Sequence, residues 1–346
     1  MNKTLLGVLI AACVAASLGA GAAQNQTNIP HFEVDPRFPQ LPAGKVLGDM
    51  SSVAVDSHDH VWMVHRPRTV PEAQRTRTNA APPVLEFDET GKFLAGWGGP
   101  GAGFEWPERE HGIYVDASGD VWISGNNGYA AAGTPPPPGK SDDMLLKFAS
   151  NGKFLMQIGH AGKSTGDADK DNVKQAADMM VFKNELFVAD GYGNHRVVVF
   201  DTKNGAFKRT WGANGGPPFN IAHAIKVSND GLVYLADRGN QRVQVFTTAG
   251  AFKQEVKIGA GTNQMQTAAG LAFSPDRAQR HLYVADIGNN QINILDRQSL
   301  QILDKFGKAG TAPGEFGTIH ELAADSKGNI YTAELRTHRV QKFTQK

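Results

Sequence analysis

The pentapeptide LFVAD, residues 186–190, returns along the chain as VYLAD at 233–237, LYVAD at 282–286 and IYTAE at 330–334. VWMV at 61–64 and VWIS at 121–124 are earlier, more divergent copies. The first two intervals between the six copies are about 60 and 65 residues and the last three are just under 50, which is typical of a propeller or a solenoid. The repeat therefore predicts a chain built from six similar units.

The neighbours of each copy predict four strands per unit. A β-type string such as AIKV at 224–227 precedes the copy, and the turn NDG at 229–231 suits a tight hairpin. An Asn-x-Arg-Val string follows, as in NHRV at 194–197, and a fourth strand ends in glycine, as at Gly212. Four strands are the anatomy of a propeller blade. We therefore expect an all-β, six-bladed propeller over residues 30–346.

The two ends of the chain are expected to complete one blade together. The last repeat stops after its third strand at residues 340–343, and KVLG at 45–48 offers a strand that belongs to no other repeat. Pairing them removes the exposed edge that an open ring would leave. The last blade is thus predicted to be completed by an N-terminal strand.

Composition and charge exclude several classes of partner. The 346 residues carry 35 basic and 34 acidic side chains, a formal charge of +1. Neither nucleic-acid binding nor a polybasic membrane patch is expected from this balance. Beyond the N-terminus, no apolar run reaches the length of a membrane span. We expect a monomer with no transmembrane segment.

Residues 1–23 read as a secretory signal peptide. Lys3 gives a positive start, an apolar run follows, and Ala20-Gly21-Ala22 offers a small-residue cleavage site. The only cysteine, Cys13, follows Ile10-Ala11-Ala12, which also resembles a lipoprotein cleavage box. The expected location is secreted or periplasmic, with lipoprotein anchoring as the alternative.

Three histidines share one register on alternate blades. His111, His223 and His320 each stand at the start of a predicted innermost strand, in the second, fourth and sixth repeats. Innermost strands line the central channel, so the three side chains are expected to converge at its axis. Three imidazoles with one open position favour zinc, although copper, iron or cobalt could use the same ligands.

Two further residues follow second strands and should share the channel mouth with the metal. They are Arg66, after Val64-His65, and Tyr192, in the string Asp190-Gly191-Tyr192. The planar fork of an arginine suits a substrate carboxylate. A tyrosine beside a cation can act as a general base. The alternatives are a solvated loop charge for Arg66 and a capping aromatic for Tyr192.

These strings resemble those of the peptidyl-alpha-hydroxyglycine alpha-amidating lyases, also called peptidylamidoglycolate lyases, which are NHL-type six-bladed propellers. The resemblance rests on His65-Arg66, on the stretch from Pro107 to Ile113, on residues 190–196, and on His223 and His320. It runs across the whole propeller in matching order. It implies a lyase that cleaves an N-acyl-alpha-hydroxyglycine, a small molecule or peptide bearing a carboxylate, to a primary amide and glyoxylate.

The resemblance also implies roles for individual residues. Zinc would be held by the histidine triad, Arg66 would anchor the carboxylate, and Tyr192 would be the base. A structural calcium would be bound by the carbonyls of Val53 and Ile113 and by the carboxylate of Glu321, where the family has aspartate. Thr318 replaces a family methionine, and Gly193 stands where the family has a cysteine.

Two other functions stay open at this point. The first is a non-enzymatic NHL binding module that keeps a metal for structure only. A structural zinc is usually closed by a fourth protein ligand, so a fourth histidine or carboxylate at the triad would favour this function. The second is a lactone or ester hydrolase, which would normally place carboxylates around a channel calcium.

Overall fold

The computed structural model describes residues 29–76, 79–128, 140–214, 217–262 and 266–346. These residues form a six-bladed β-propeller, with 24 strands in six four-stranded antiparallel sheets. The predicted fold class is confirmed. The predicted signal peptide, residues 1–23, lies outside the described residues. No helix among the described residues is long and apolar enough to cross a membrane.

In five of the blades the four strands follow chain order from the channel outward, and in the last blade the outermost strand comes from the N-terminal part of the chain. The innermost strands are β2 (Met50–Val55), β6 (Glu110–Val115), β10 (Asp178–Phe182), β14 (Ala222–Val227), β18 (Ala268–Phe273) and β22 (Ile319–Ala324). The second strands are β3 (Val61–His65), β7 (Val121–Gly125), β11 (Glu185–Asp190), β15 (Leu232–Asp237), β19 (His281–Asp286) and β23 (Ile330–Glu334). The third strands are β4 (Val84–Phe87), β8 (Met144–Phe148), β12 (Arg196–Asp201), β16 (Arg242–Thr247), β20 (Gln291–Asp296) and β24 (Arg339–Gln345). The outermost strands are β5 (Phe93–Trp97), β9 (Phe154–Gly159), β13 (Phe207–Trp211), β17 (Phe252–Lys257), β21 (Ile302–Phe306) and, in the last blade, β1 (Phe32–Asp35). The described 3-10 helices are Pro67–Thr69, Glu72–Gln74 and Arg238–Asn240.

The six innermost strands form a closed ring around the channel. Each lies beside the innermost strands of the two neighbouring blades, and β22 lies beside β2. The second strand of every repeat is almost wholly buried, because it packs against both neighbouring blades. This burial explains why the first four residues of the repeated pentapeptide are almost all apolar and do not alternate with polar residues.

The core is divided into six apolar clusters, each between two adjacent blades. Trp62 and Val64 of the first blade, for example, pack with Ile113 and Ile123 of the second. Burial of apolar surface stabilises such contacts by about 25 cal/mol per Å². The blades are therefore held together by side-chain packing between sheets.

The acid that ends the pentapeptide is explained by buried ion pairs. Asp190 accepts a hydrogen bond of 2.8 Å from Nε of Arg196, and Asp237 accepts one of the same length from Arg242. Asn240 donates to the second of these carboxylates at 2.7 Å. The Asn-x-Arg string after the pentapeptide thus neutralises its acid. Removal of one partner would leave an uncompensated buried charge, which is strongly destabilising.

The predicted closure of the ring is confirmed, but the predicted strand was wrong. The strand that completes the last blade is β1, which pairs with β24 from Phe32 opposite Gln345 to Asp35 opposite Lys342. Phe32 stacks on Phe306 at 5.1 Å between ring centres. The string KVLG at 45–48 does not form this strand: Val46 makes only an isolated bridge to Ala80. The reason is that β1 offers apolar side chains on alternate residues to the last core cluster.

Candidate metal centre

The three predicted histidines occupy one register. His111, His223 and His320 are each the second residue of an innermost strand, β6, β14 and β22. These strands belong to alternate blades, so the side chains converge from three directions. All three are buried, with at most 1% of the surface exposed.

The imidazole rings lie close enough to share one ion. The distances between ring centres are 5.2 Å for His111 and His223, 4.9 Å for His111 and His320, and 4.6 Å for His223 and His320. Ligand nitrogens of all three lie within 4.8 Å of one another. The Nε2 atoms of His223 and His320 are 3.1 Å apart.

Backbone carbonyls fix the orientation of every ring. The Nδ1 atom of each histidine lies 2.6 to 3.1 Å from a carbonyl oxygen of the next blade in the ring. The acceptors of His111, His223 and His320 are Ala177, Ala269 and Ser51, respectively. A carbonyl only accepts hydrogen bonds, so Nδ1 carries the proton and Nε2 offers its lone pair to the axis.

This donor set fits a transition metal. Burial lowers the pKa of each histidine well below its usual range, and neighbouring positive charges lower it further. The rings are therefore neutral, as metal binding requires. Two Nε2 lone pairs that face each other at 3.1 Å repel unless a cation binds to both. Three neutral imidazoles with no cysteine among the ligands suit zinc, copper, iron or cobalt.

Tyr192 lies at the open side of the triad. Its hydroxyl oxygen is 2.8 Å from Nε2 of His111 and 3.1 Å from Nε2 of His223. Tyr192 follows β11, as expected for a residue at the end of a second strand. These contacts place the hydroxyl group of Tyr192 at the histidine triad, which a residue that only caps a strand would not require.

Arg66 is buried beside the same site. It follows β3 and is only 2% exposed, which excludes a solvated loop charge. Its Nε donates a 2.8 Å hydrogen bond to the carbonyl oxygen of Glu110, the residue before His111. Burial lowers the pKa of Arg66 to about 10, so the guanidinium stays charged at neutral pH.

A second arginine, Arg238, was missed by the sequence analysis. It directly follows β15, is 5% exposed, and its Nη1 donates to the hydroxyl oxygen of Tyr192 at 3.1 Å. Its guanidinium carbon lies 5.2 Å from the centre of the tyrosine ring. The signal was present, because Arg238 follows its second strand directly, as Arg66 does. The charge of Arg109, just before β6, also acts on Arg66.

The residues expected to bind calcium lie on three innermost strands. Val53 is on β2, Ile113 on β6 and Glu321 on β22. Glu321 is 2% exposed, and its Oε1 has no hydrogen-bond partner among the described residues. That oxygen is 3.1 Å from Nδ1 of His223, which is directed to Ala269. Burial raises the pKa of Glu321 well above its usual range.

A second grouping of potential ligands lies on the other face of the disc, where the turn between β2 and β3 meets β4. Asp56, His60 and Glu86 lie close together, with 2.8 Å between Nδ1 of His60 and Oε1 of Glu86. The second blade holds an ion pair in the same place, with Asp120 and Lys147 at 2.7 Å. The contact between His60 and Glu86 therefore occupies the place of that ion pair in the first blade.

The fold and the site define a six-bladed β-propeller with a three-histidine centre in its channel, flanked by a tyrosine and two arginines. Residues 219–246 match the model of the NHL repeat.

Two curated relatives cover most of the chain. NHL repeat-containing protein 3 of Homo sapiens is 26% identical over 90% of the chain and 84% of its own length. Peptidyl-alpha-hydroxyglycine alpha-amidating lyase 1 of Drosophila melanogaster is 26% identical over 87% of the chain, which spans 58% of that relative's length.

Among solved structures, a streptogramin B lyase matches 92% of this chain and 98% of its own, with a TM-score of 0.56. The sequence identity is 14%, so this similarity concerns the fold alone.

Proposed function

We propose that this protein is a zinc-dependent carbon–nitrogen lyase that cleaves an N-acyl-alpha-hydroxyglycine to a primary amide and glyoxylate. The observation that carries the proposal is the convergence of three imidazole lone pairs with Tyr192 and two buried arginines. The relative named as an amidating lyase supports the same reaction. All these groups belong to one chain, so we propose that a monomer is sufficient.

The reaction needs no oxidant or reductant. The hydroxyl group of the substrate loses its proton and becomes the aldehyde of glyoxylate. The carbon–nitrogen bond breaks, its electron pair stays on nitrogen, and a proton completes the primary amide. A bound zinc ion would act as a Lewis acid that favours loss of the hydroxyl proton.

The protein's own residues would orient the substrate and move the proton. Tyr192 would accept the hydroxyl proton in its phenolate form and deliver it to the departing nitrogen. Arg238, whose Nη1 lies 3.1 Å from the phenol oxygen, would stabilise the negative charge that this step requires there. Arg66, with Arg238, would bind the carboxylate and so fix the carbon–nitrogen bond over the triad.

We propose that a cavity on the same face as the triad receives the acyl group. A cavity of about 560 Å³ lies on the mouth face, between the first two blades. Its walls include Trp106 and several prolines, and it reaches Pro67 and Glu110, the neighbours of Arg66 and His111. The apolar part of these walls would pack against an acyl group, and Lys45, Arg68, Glu108 and Glu110 add charged groups to the lining.

The test is a glyoxylate-release assay on the zinc-loaded protein. Substrates would be N-acetyl-, N-benzoyl- and peptidyl-alpha-hydroxyglycine, with an analogue that lacks the carboxylate as the control. We expect turnover of the acids only. Arg66→Ala should keep its zinc but raise KM by about tenfold or more, and Arg66→Lys should recover part of this loss. No glyoxylate from any acid, or equal cleavage of the analogue, would overturn the proposal.

The alternative is a non-enzymatic NHL binding module with a structural metal. It is favoured by the similarity to NHL repeat-containing protein 3, which covers 90% of the chain. Metal binding without turnover on any substrate of the panel would support it. We also propose that residues 1–23 direct export to the periplasm or the medium, which cell fractionation with and without this segment would test.

A further inference from the structure

A buried charged group lies further along the channel from the triad. Lys226 is near the end of β14, and Asp178 begins the neighbouring strand β10. Nζ of Lys226 is 2.7 Å from Oδ2 of Asp178, which also accepts a 3.0 Å hydrogen bond from the backbone of Ile225. The side chains are 19% and 2% exposed, so the pair is fixed and largely removed from water.

This ammonium group shares its surroundings with the residues that the family resemblance assigns to calcium. Val53, Ile113 and Lys226 all line one cavity of about 420 Å³ at the other end of the channel. The charges of Lys226 and Asp178 both act on the carboxyl group of Glu321. The expected ligands and an ammonium group therefore occupy the same part of the molecule.

Calcium is disfavoured by this arrangement. The ion needs six to eight oxygen ligands and is held tightly by sites with several carboxylates. Here Asp178 already has an ammonium partner. Even with both carboxylates ionised, the group formed by Asp178, Glu321 and Lys226 has a net charge of only −1. A divalent ion would also meet the repulsion of a fixed positive charge in a poorly screened interior.

We propose that Lys226, held by Asp178, supplies the positive charge in this part of the channel and that the protein binds no structural calcium. The expected calcium ligands Val53, Ile113 and Glu321 do not fit a divalent ion while this lysine is present. The inference does not depend on the proposed lyase activity, because it concerns charge balance and stability.

The test compares the wild type, Lys226→Met and a matched control, Lys147→Met. Lys147 is 15% exposed and lies 2.7 Å from Asp120, so it makes a similar ion pair away from the channel. Calcium content would be measured by mass spectrometry after dialysis in calcium, and Tm in calcium-containing and calcium-free buffers with equal zinc.

For the wild type we expect far less than one calcium per chain and the same Tm in both buffers. Lys226→Met should have a lower Tm that calcium raises by a few degrees, since the buried carboxylate of Asp178 then lacks its cationic partner. Lys147→Met should lose stability without any response to calcium.

The proposal is overturned if the wild type holds about one calcium per chain and its Tm falls when calcium is removed. This measurement needs no variant, so it remains available if Lys226→Met does not fold. A Lys226→Met protein as stable as the wild type and indifferent to calcium would also overturn the proposal, because the group would then need no cation.

Discussion

Each imidazole of the triad depends on a partner in another blade. His111 donates to Ala177, and His320 donates to Ser51, which lies near the opposite end of the chain. The proton on Nδ1 leaves Nε2 free to bind a metal. The ligand geometry is therefore set by how neighbouring blades pack, and it forms only when the ring closes.

Replacement of any one of the three histidines by alanine should remove the metal. The two imidazoles that remain after one replacement hold a transition metal weakly. We therefore expect the wild type to retain a single zinc ion and each variant to lose it on dialysis. His195→Ala is the control, because His195 is exposed at the surface. Metal analysis of the folded proteins checks this. Full metal content in the alanine variants would refute the assignment.

Tyr192→Phe should keep the fold and the metal while turnover falls by about a hundredfold or more, the usual contribution of a general base. The substitution removes only the hydroxyl group that contacts His111, His223 and Arg238. Tyr114→Phe is the control, since that hydroxyl group is also in the channel wall but donates to the carbonyl of Val181 at 3.3 Å. Rates are compared on zinc-loaded proteins. Near wild-type turnover of Tyr192→Phe would assign the proton transfer to another group.

The closing strand β1 stabilises the last blade through one face. Phe32 and Val34 pack against the last core cluster, while Glu33 lies outside it. Phe32 contacts both Phe306 and Tyr283, at 5.1 and 5.6 Å between ring centres. The strand therefore adds apolar burial as well as hydrogen bonds to β24.

Phe32→Ala should lower the free energy of unfolding by about 2 kcal/mol, less than for a fully buried phenylalanine because the ring is half-buried. Glu33→Ala on the same strand should change it by less than about 0.5 kcal/mol, since its side chain is 71% exposed. Urea denaturation measures both. Equal effects would mean that β1 acts only through its backbone.

The strand pattern of the sequence predicted the positions of the site residues better than it predicted which strand closes the ring. Strand register predicted that the triad, Arg66 and Tyr192 lie close together, because a residue's place on its strand fixes its height in the channel. The same rule would have found Arg238, had it been applied to every second strand. The closing strand was misplaced because residues 32–35 and 45–48 are both short β-type strings, and only packing against Phe306 distinguishes them. The carbonyl partners of the histidines arise from contacts between blades and leave no signal in the sequence.

The whole ring carries several buried histidines in the neutral state. Besides the triad, His65 accepts a hydrogen bond from the backbone of Gly48 at 3.1 Å and contacts the carbonyl oxygen of Pro82 at 2.9 Å. Burial lowers its pKa to about 4. In the unfolded chain a histidine has a pKa of about 6.5, so acid favours unfolding of the molecule.

The metal-free protein should therefore lose stability as the pH falls from about 6.5 toward 4. In this range the unfolded chain binds protons that the folded protein excludes, so the free energy of unfolding decreases by up to about 1.4 kcal/mol per pH unit for each buried histidine. His65→Gln should reduce the slope by about one proton, because glutamine offers Gly48 an acceptor and Pro82 a donor without titrating. His195→Gln, at an exposed position, is the matched control and should keep the wild-type slope. Urea denaturation at a series of pH values gives the slopes, and equal slopes for the two variants would show that His65 is not among the groups responsible.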